Sequence, residues 1–155
     1  MFLSDQEKAQ ITQFLQKIDF LKGLPEFELF ELVGSVEKFS YQKGQTIIFQ
    51  GEISHRLYLI FAGKVAVMAK VQNERKKVAE LGEGEYFGEI SLLEPTTASA
   101  TLKAEESCQL YAISRDDFMS VAAKVPGALD AMKAKIMARK ESLAKSKQPE
   151  EEEPQ

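Results

Sequence analysis

Histidine, cysteine and tryptophan are scarce in this sequence of 155 residues, which contains one histidine, one cysteine and no tryptophan. A single cysteine excludes an intramolecular disulfide, and Cys108 stands in an alternating run, 108–113, that is typical of a buried strand. His55 has no nucleophile or metal ligand at a recognisable spacing. We therefore expect no catalytic residue and no metal site, and the sequence does not predict an enzyme.

Long apolar runs and an excess of positive charge are also missing. No stretch approaches the roughly 20 apolar residues of a membrane helix, and residues 1–8 lack the basic and apolar regions of a signal peptide. The net charge is -4, and the acidic run 150–153 accounts for all of it. No overall field therefore attracts nucleic acid. These absences predict a cytoplasmic protein without a membrane or nucleic-acid partner.

Helical patterns are found at the N-terminal end. Ser4 followed by Glu7 matches a capping box, and apolar residues then recur at helical spacing: Ile11, Phe14, Leu15 and Ile18. A second helix is predicted from about Pro25 to Gly34, because proline is well tolerated in a first helical turn. Its expected buried residues are Phe27, Phe30 and Val33.

Helical patterns return at the C-terminal end. Ser114 and Asp117 predict the cap of a helix, and a last helix is predicted over 128–144. The last helix has a narrow apolar stripe: Leu129, Met132, Ile136 and Leu143. That stripe suits packing on the chain's own barrel, or pairing with a second copy or a partner protein. Residues 146–155 contain no core-forming residue and are predicted to be a disordered acidic tail.

Short β-prone runs separated by turn residues occupy the middle of the chain, at 36–41, 46–49, 57–61, 64–71, 77–81, 100–104 and 108–113. They follow one another too closely for parallel crossovers and predict an antiparallel sandwich or barrel. The expected fold class is α+β, mainly β: an antiparallel jelly-roll-like β-barrel with N-terminal and C-terminal helices. We expect an N-terminal helix at 1–20, a domain at 21–145 with its barrel at about 36–113 and helices at about 115–145, and the tail.

Three glycines, Gly82, Gly84 and Gly88, precede the short run 90–93 between the fifth and sixth predicted strands. Backbone N–H groups in such a segment can form an anion site, and a helical turn over 89–93 would add its N-terminal N–H groups. The segment therefore has room for a phosphate group. A simple turn between strands is the alternative.

The run FGEISLL at 87–93 resembles the phosphate-binding cassette of cyclic-nucleotide-binding domains, the family that includes cyclic AMP receptor proteins. The glycine turns at 43–44 and 50–51, the segment 57–65 and the helix start at 114–118 resemble other parts of that family in the same order. The resemblance covers about residues 20–140. It implies the barrel fold, a regulatory role, and cAMP or cGMP as the candidate ligand without any other cofactor. It also implies a third role for the stripe of the last helix, closure over the ligand as a lid.

The resemblance also implies a set of ligand-binding residues: Phe87, Gly88, Glu89, Ile90, Ser91, Ala98, Ser99 and Ala100. Gly88 would offer its N–H near the ribose and phosphate, and Glu89 would accept a hydrogen bond from the ribose 2′-hydroxyl. Ile90 and Ser91 would add backbone contacts. Ser99 and Ala100 would line the opposite wall, where the Ser99 hydroxyl can donate to a phosphate oxygen or a guanine edge.

The cassette differs from the family pattern at one position. When Thr101 is aligned on the family's threonine, Ala98 stands where the family has an arginine. The arginine's charge-assisted contact to the phosphate is worth about 1.5–3 kcal/mol. Thr97 or Ser99 hydroxyls can compensate in part, and Lys64 or Lys103 are cations that could reach the site.

Two functions remain open. One is a stand-alone regulatory domain that senses a cyclic nucleotide or a related phosphorylated small molecule, with its affinity lowered by the absent arginine. The other is a degenerate, ligand-independent protein-interaction module of the same fold. A transcription regulator is disfavoured, because no helix-turn-helix follows the last helix.

Overall fold

The computed structural model describes residues 3–138 of the chain. It contains four α-helices within that range: α1 (Asp5–Gln16), α2 (Glu26–Gly34), α3 (Arg115–Ala122) and α4 (128–138). Short 3-10 helices lie at Asp19–Leu21 and Glu89–Leu92. The predicted tail, 146–155, and the end of the predicted last helix with Leu143 lie outside the described residues.

Two of the helices begin where local sequence signals predict. The Ser4 hydroxyl accepts from the Glu7 backbone N–H, and the Glu7 carboxylate accepts from the Ser4 N–H, so the capping box is complete. Ser114 accepts from the Asp117 N–H at the start of α3. Both predictions are confirmed. A cap depends on residues only three positions apart, so the sequence alone can show it.

Within residues 3–138, ten antiparallel strands form two four-stranded sheets and one short ribbon, with the orders β1-β10-β4-β7, β2-β9-β5-β6 and β3-β8. The strands are β1 (Glu37–Tyr41), β2 (Thr46–Ile48), β3 (Ile53–Ser54), β4 (Arg56–Ala62), β5 (Val65–Val71), β6 (Glu74–Leu81), β7 (Tyr86–Phe87), β8 (Thr96–Thr97), β9 (Thr101–Ala104) and β10 (Cys108–Ser114). The predicted jelly-roll-like fold is confirmed. The three two-residue strands, β3, β7 and β8, were not predicted, since two residues are too few to show a period.

Two hydrophobic cores lie on opposite faces of strand β4. Leu57 and Leu59 face the helical core, which α1, α2, α3 and α4 cover. Tyr58 and Ile60 face the second core, which we call the barrel interior, between the two large sheets. Both faces are therefore buried, and this explains why β4 is an unbroken apolar run after its first residue.

Helix α4 packs on the chain's own helical core. Met132 and Ile136 are buried in it, and Leu129 packs against it. Within residues 128–138 the apolar stripe therefore takes the first of the three predicted roles. Pairing with a second copy or a partner through this helix stays a prediction that these contacts do not support.

Helix α2 presents a different face from the one expected. Phe27 and Phe30 are 72% and 69% exposed, whereas Leu29, Leu32 and Val33 are buried. The prediction that Phe27 and Phe30 are buried is wrong. Apolar residues occupy more than one face of this short helix, and packing against α1 and α3 selects the leucine face.

Gly88 ends strand β7 in a left-handed conformation, with φ of 88°. A Cβ atom at this position would lie 2.5 Å from the backbone carbonyl oxygen of Arg56 on β4. Only glycine permits both the positive φ and the close approach of the two backbones. None of the described helices is long and apolar enough to cross a membrane.

The Gly88→Ala variant should lose about 1–3 kcal/mol of folding free energy or more, because the strained φ and the contact with Arg56 add together. The midpoint of thermal unfolding should fall by about 2–4 °C for each kcal/mol. Gly82→Ala is the matched control, since Gly82 lies in the same region with open space around a Cβ atom. Equal midpoints for the two variants would contradict the packing described for Gly88.

Glu7 in helix α1 forms an ion pair with Lys38 on strand β1, and this contact depends on pH. Lys38 Nζ donates to Glu7 at 2.7 Å and the Ser4 N–H donates at 3.0 Å, which lower the pKa of Glu7 from 4.5 to about 2. A carboxyl group whose pKa is lower in the folded protein stabilises the fold at pH values above its pKa in the unfolded chain. This stabilisation is lost as the pH falls through the pKa of the folded state. Glu7→Gln should therefore lose less stability than the wild type between about pH 4.5 and 2.

Thermal unfolding midpoints measured across that pH range check the prediction for Glu7. Glu26→Gln is a control at an exposed position in the first turn of α2. Parallel pH curves for the wild type and Glu7→Gln would show that the contact with Lys38 contributes nothing.

Candidate functional site

The segment after β7 forms a tight, buried turn of 3-10 helix. Gly88 turns the chain, and Glu89–Leu92 follows as the predicted helical turn, with the Ser91 N–H donating to the Gly88 carbonyl at 3.0 Å. Glu89 and Ser91 are only 6% and 3% exposed. A carboxylate is seldom this buried on a simple surface turn, so the alternative of an ordinary exposed turn does not describe this segment.

The second predicted segment, 98–100, follows strand β8 and is held by backbone hydrogen bonds to residues 51 and 52. The Ala98 N–H donates to the Glu52 carbonyl at 2.8 Å, and the Gly51 N–H donates to the Ala98 carbonyl at 2.9 Å. Ala98 is half-buried against the barrel interior, Ala100 is half-buried, and Ser99 is exposed. Backbone pairing with the 50–54 segment therefore holds this wall in place.

The structure brings Phe87 and Ala98 to the same cluster and directs Ile90 elsewhere. Phe87 belongs to the barrel interior, against which Ala98 packs. Ile90 packs against the helical core instead, so its side chain does not join this cluster. Sequence reasoning placed all these residues in one site, but the chain turns between them at Gly88.

Three aromatic residues beside Phe87 were not predicted as part of the site. The Tyr58 and Phe87 rings are stacked with centroids 5.0 Å apart, and Phe39 lies 6.3 Å from Tyr58 and 6.5 Å from Tyr41. We call Phe39, Tyr41, Tyr58, Phe87 and Ala98 the barrel mouth. The alternation of side chains along β1 and β4 is the sequence signal that could have placed them on one face.

Arg56 lies at the rim of the barrel mouth. Its guanidinium stands 5.5 Å from the centre of the Phe39 ring, and its Nε is 3.6 Å from a carboxylate oxygen of Glu37. Burial raises the pKa of Tyr58 and of Tyr41, and the positive charge of Arg56 opposes that rise only in part. Sequence reasoning did not identify Arg56, because it precedes an apolar strand and resembles an ordinary strand end.

The two lysines proposed as substitutes for the missing arginine do not lie at this mouth. Lys64 Nζ is 4.0 Å from the Glu80 carboxylate, and both side chains are about half exposed. On strand β9, Lys103 lies between Leu102 and Ala104, whose side chains face the barrel interior. The Lys103 side chain therefore points to the outer face, where it is exposed. The expectation that either lysine reaches the cassette finds no support in these positions.

The cassette is attached to the helical layer at two points. Leu92 is fully buried in the helical core, and the Arg115 guanidinium at the start of α3 donates to the Leu93 carbonyl at 3.4 Å. A displacement of the 3-10 helix would therefore disturb the packing of the helices. Among residues 3–138, no group of three or more histidine, cysteine, aspartate or glutamate side chains could hold a metal ion.

Comparison with known proteins finds relatives that agree on one family. The model of the cyclic nucleotide-binding domain family matches residues 38–125. A cGMP-dependent protein kinase of Eimeria tenella is 37% identical over 114 residues, covering 74% of this chain and 11% of the kinase. A cyclic AMP receptor protein of Thermus thermophilus is 36% identical over 87 residues, covering 56% of this chain and 40% of that protein. The chain thus spans between about a tenth and two fifths of the length of these relatives.

Solved structures share the fold. A cAMP-bound structure named PfPKA-R has a TM-score of 0.72 and 28% identity, covering 78% of this chain and 43% of that one. The regulatory subunit of a cAMP-independent protein kinase A from Trypanosoma cruzi, bound to guanosine, has a TM-score of 0.63 and 27% identity, covering 81% and 44%.

A related structure concerns the corresponding subunit from Trypanosoma brucei, also named as cAMP-independent. It is a variant with glutamate-to-alanine, threonine-to-arginine and valine-to-alanine substitutions, bound to cAMP. Its TM-score is 0.66 at 25% identity, and the match covers 91% of this chain and 47% of that one. The jelly-roll fold, the cassette segment and the match over more than half of the sequence agree: the chain belongs to the cyclic nucleotide-binding domain family.

Proposed function

We propose that this domain is a regulatory module that senses a cyclic nucleotide, cAMP or cGMP, or a related phosphorylated small molecule. Phe87–Ser91 and residues 98–100 would form its ligand site, and the alanine at position 98 lowers its affinity. The observation that supports this most is the burial of Glu89, 6% exposed at the start of the 3-10 helix. A carboxylate at this place suits a ribose 2′-hydroxyl, because it can accept a short, charge-assisted hydrogen bond.

Regulation would follow from the two attachments of the cassette. Ligand contacts at Gly88 and Glu89 act on the same short helix whose Leu92 is buried in the helical core. Arg115 links the end of that helix to α3. A ligand that binds one conformation of the cassette more tightly than another would therefore shift the packing of α3 and α4.

A second function, a ligand-independent interaction module, is favoured by one observation. Ala98 is a small apolar residue that packs on the barrel interior, and it offers no charge to a phosphate. The trypanosome subunits named as cAMP-independent show that family members can differ in ligand, since one of them is bound to guanosine, a neutral nucleoside. A neutral nucleoside is accordingly included among the test ligands.

Calorimetric titration of the purified protein with cAMP, cGMP and guanosine tests the proposal. We expect weak binding of at least one cyclic nucleotide, and Glu89→Gln should weaken it at least tenfold because the ribose acceptor loses its charge. Glu83→Gln is the matched control, an exposed glutamate in the turn before β7. No heat with millimolar cAMP or cGMP would overturn the nucleotide proposal in favour of the second function.

Restoring the arginine gives a gain-of-function test. Ala98→Arg should strengthen cAMP binding by about tenfold to a hundredfold, the equivalent of about 1.5–3 kcal/mol for a charge-assisted contact. Thr97→Arg adds the same charge one position earlier, where the side chain is exposed on β8, and should change the affinity little. Equal effects of the two variants would show that position 98 does not face the phosphate.

A further inference from the structure

Strand β4 places an arginine beside the cassette, although the sequence of the cassette has none. Arg56 is the first residue of β4, and its backbone carbonyl is the group that approaches Gly88. In the register of β4 with β7, Tyr58 lies opposite Phe87. Side chains alternate along a strand, so Arg56 shares the interior face with Tyr58, two residues closer to the cassette turn.

The Arg56 guanidinium keeps unused donor capacity. Its Nε atom is buried and has no hydrogen-bond partner. The nearest carboxylate contact, with Glu37, is 3.6 Å and so is too long for a good hydrogen bond. A guanidinium has five N–H donors in a planar fork that suits a phosphate. The Phe39 ring beneath it occupies none of those donors, and the hydrogen bond from the guanidinium to the Tyr58 hydroxyl uses only part of the fork.

Arg56 and the segment at position 98 are connected through the β3–β8 ribbon. In that ribbon Ser54 pairs with Thr96, and Arg56 begins β4 two residues after Ser54. Glu52 is in turn paired through its backbone carbonyl with the Ala98 N–H. Arg56 therefore lies four residues along the chain from Glu52, the residue that pairs with the position at which the family has its arginine.

We propose that Arg56 binds the anionic group of the ligand and so replaces, from strand β4, the positive charge that Ala98 does not provide. This inference rests on the proposed function, because it assigns a residue of the same site. The ligand it selects is a nucleotide with a negative phosphate rather than a neutral nucleoside. Glu37 is the competing anion, so binding of a phosphate would displace the Glu37 carboxylate from the guanidinium.

The test compares charged and neutral probes on the full chain. Calorimetry with cAMP and adenosine, and with cGMP and guanosine, is done on the wild type and on Arg56→Gln. We expect Arg56→Gln to weaken binding of the cyclic nucleotides tenfold or more and to change nucleoside binding less than twofold. Arg56→Lys keeps the charge without the fork and should recover part of the loss.

Three further variants sharpen the outcome. Arg75→Gln removes an exposed arginine from the β5–β6 hairpin and should have no effect. Glu37→Gln removes the competing carboxylate and should strengthen cyclic-nucleotide binding. In Arg56→Gln combined with Ala98→Arg, the arginine at position 98 should restore the affinity lost at position 56. Thermal unfolding midpoints close to that of the wild type show that each variant is folded.

The possible failures can be told apart. Equal losses for cAMP and adenosine, or no loss for either, would overturn the role of Arg56 while leaving the proposed function intact. If the wild type binds none of the four probes, the proposed function fails, and the assignment of Arg56 fails with it.

Discussion

Strand β4 is packed on both of its faces, so its side chains must satisfy two separate cores. Leu57 and Leu59 are fully buried against the helices, and Tyr58 and Ile60 are buried in the barrel interior. A slip of one residue in the register with β10 would exchange these two sets and place leucines where the aromatic ring of Tyr58 stacks. The pairing of β4 with β10 and β7 thereby sets where the cassette begins.

The cassette bridges the two cores over six residues. Phe87 is buried in the barrel interior and Leu92 in the helical core, and Gly88 allows the chain to cross between them beside the backbone of β4. Because both ends are anchored, the 3-10 helix cannot shift without changing the packing of at least one core. A ligand bound at the barrel mouth, as proposed, would therefore have a mechanical connection to α3 and α4.

The elements that sequence reasoning found are those with local signals. Seven strands follow from alternation between turn residues, and the helix caps at Ser4 and Ser114 follow from hydrogen bonds over three positions. The exposed face of α2 could not be predicted, since apolar residues on two of its faces compete and only tertiary packing decides between Phe30 and Leu29. Arg56 was missed for the same reason: Phe39 and Glu37, which lie beside its guanidinium, belong to β1 and are distant in sequence.

The position of Arg56 on strand β4 affects how this domain would respond to a ligand. In the family pattern the arginine is carried by the segment that follows the 3-10 helix, so it can move together with the cassette. Arg56 instead belongs to a strand that is hydrogen-bonded on both sides, to β10 and to β7. A phosphate bound by Arg56, as proposed, would be fixed relative to the barrel, and ligand contacts at Gly88 and Glu89 would have to drive any movement of the cassette. The ribose end of the ligand would then transmit the signal, while the phosphate end supplies affinity.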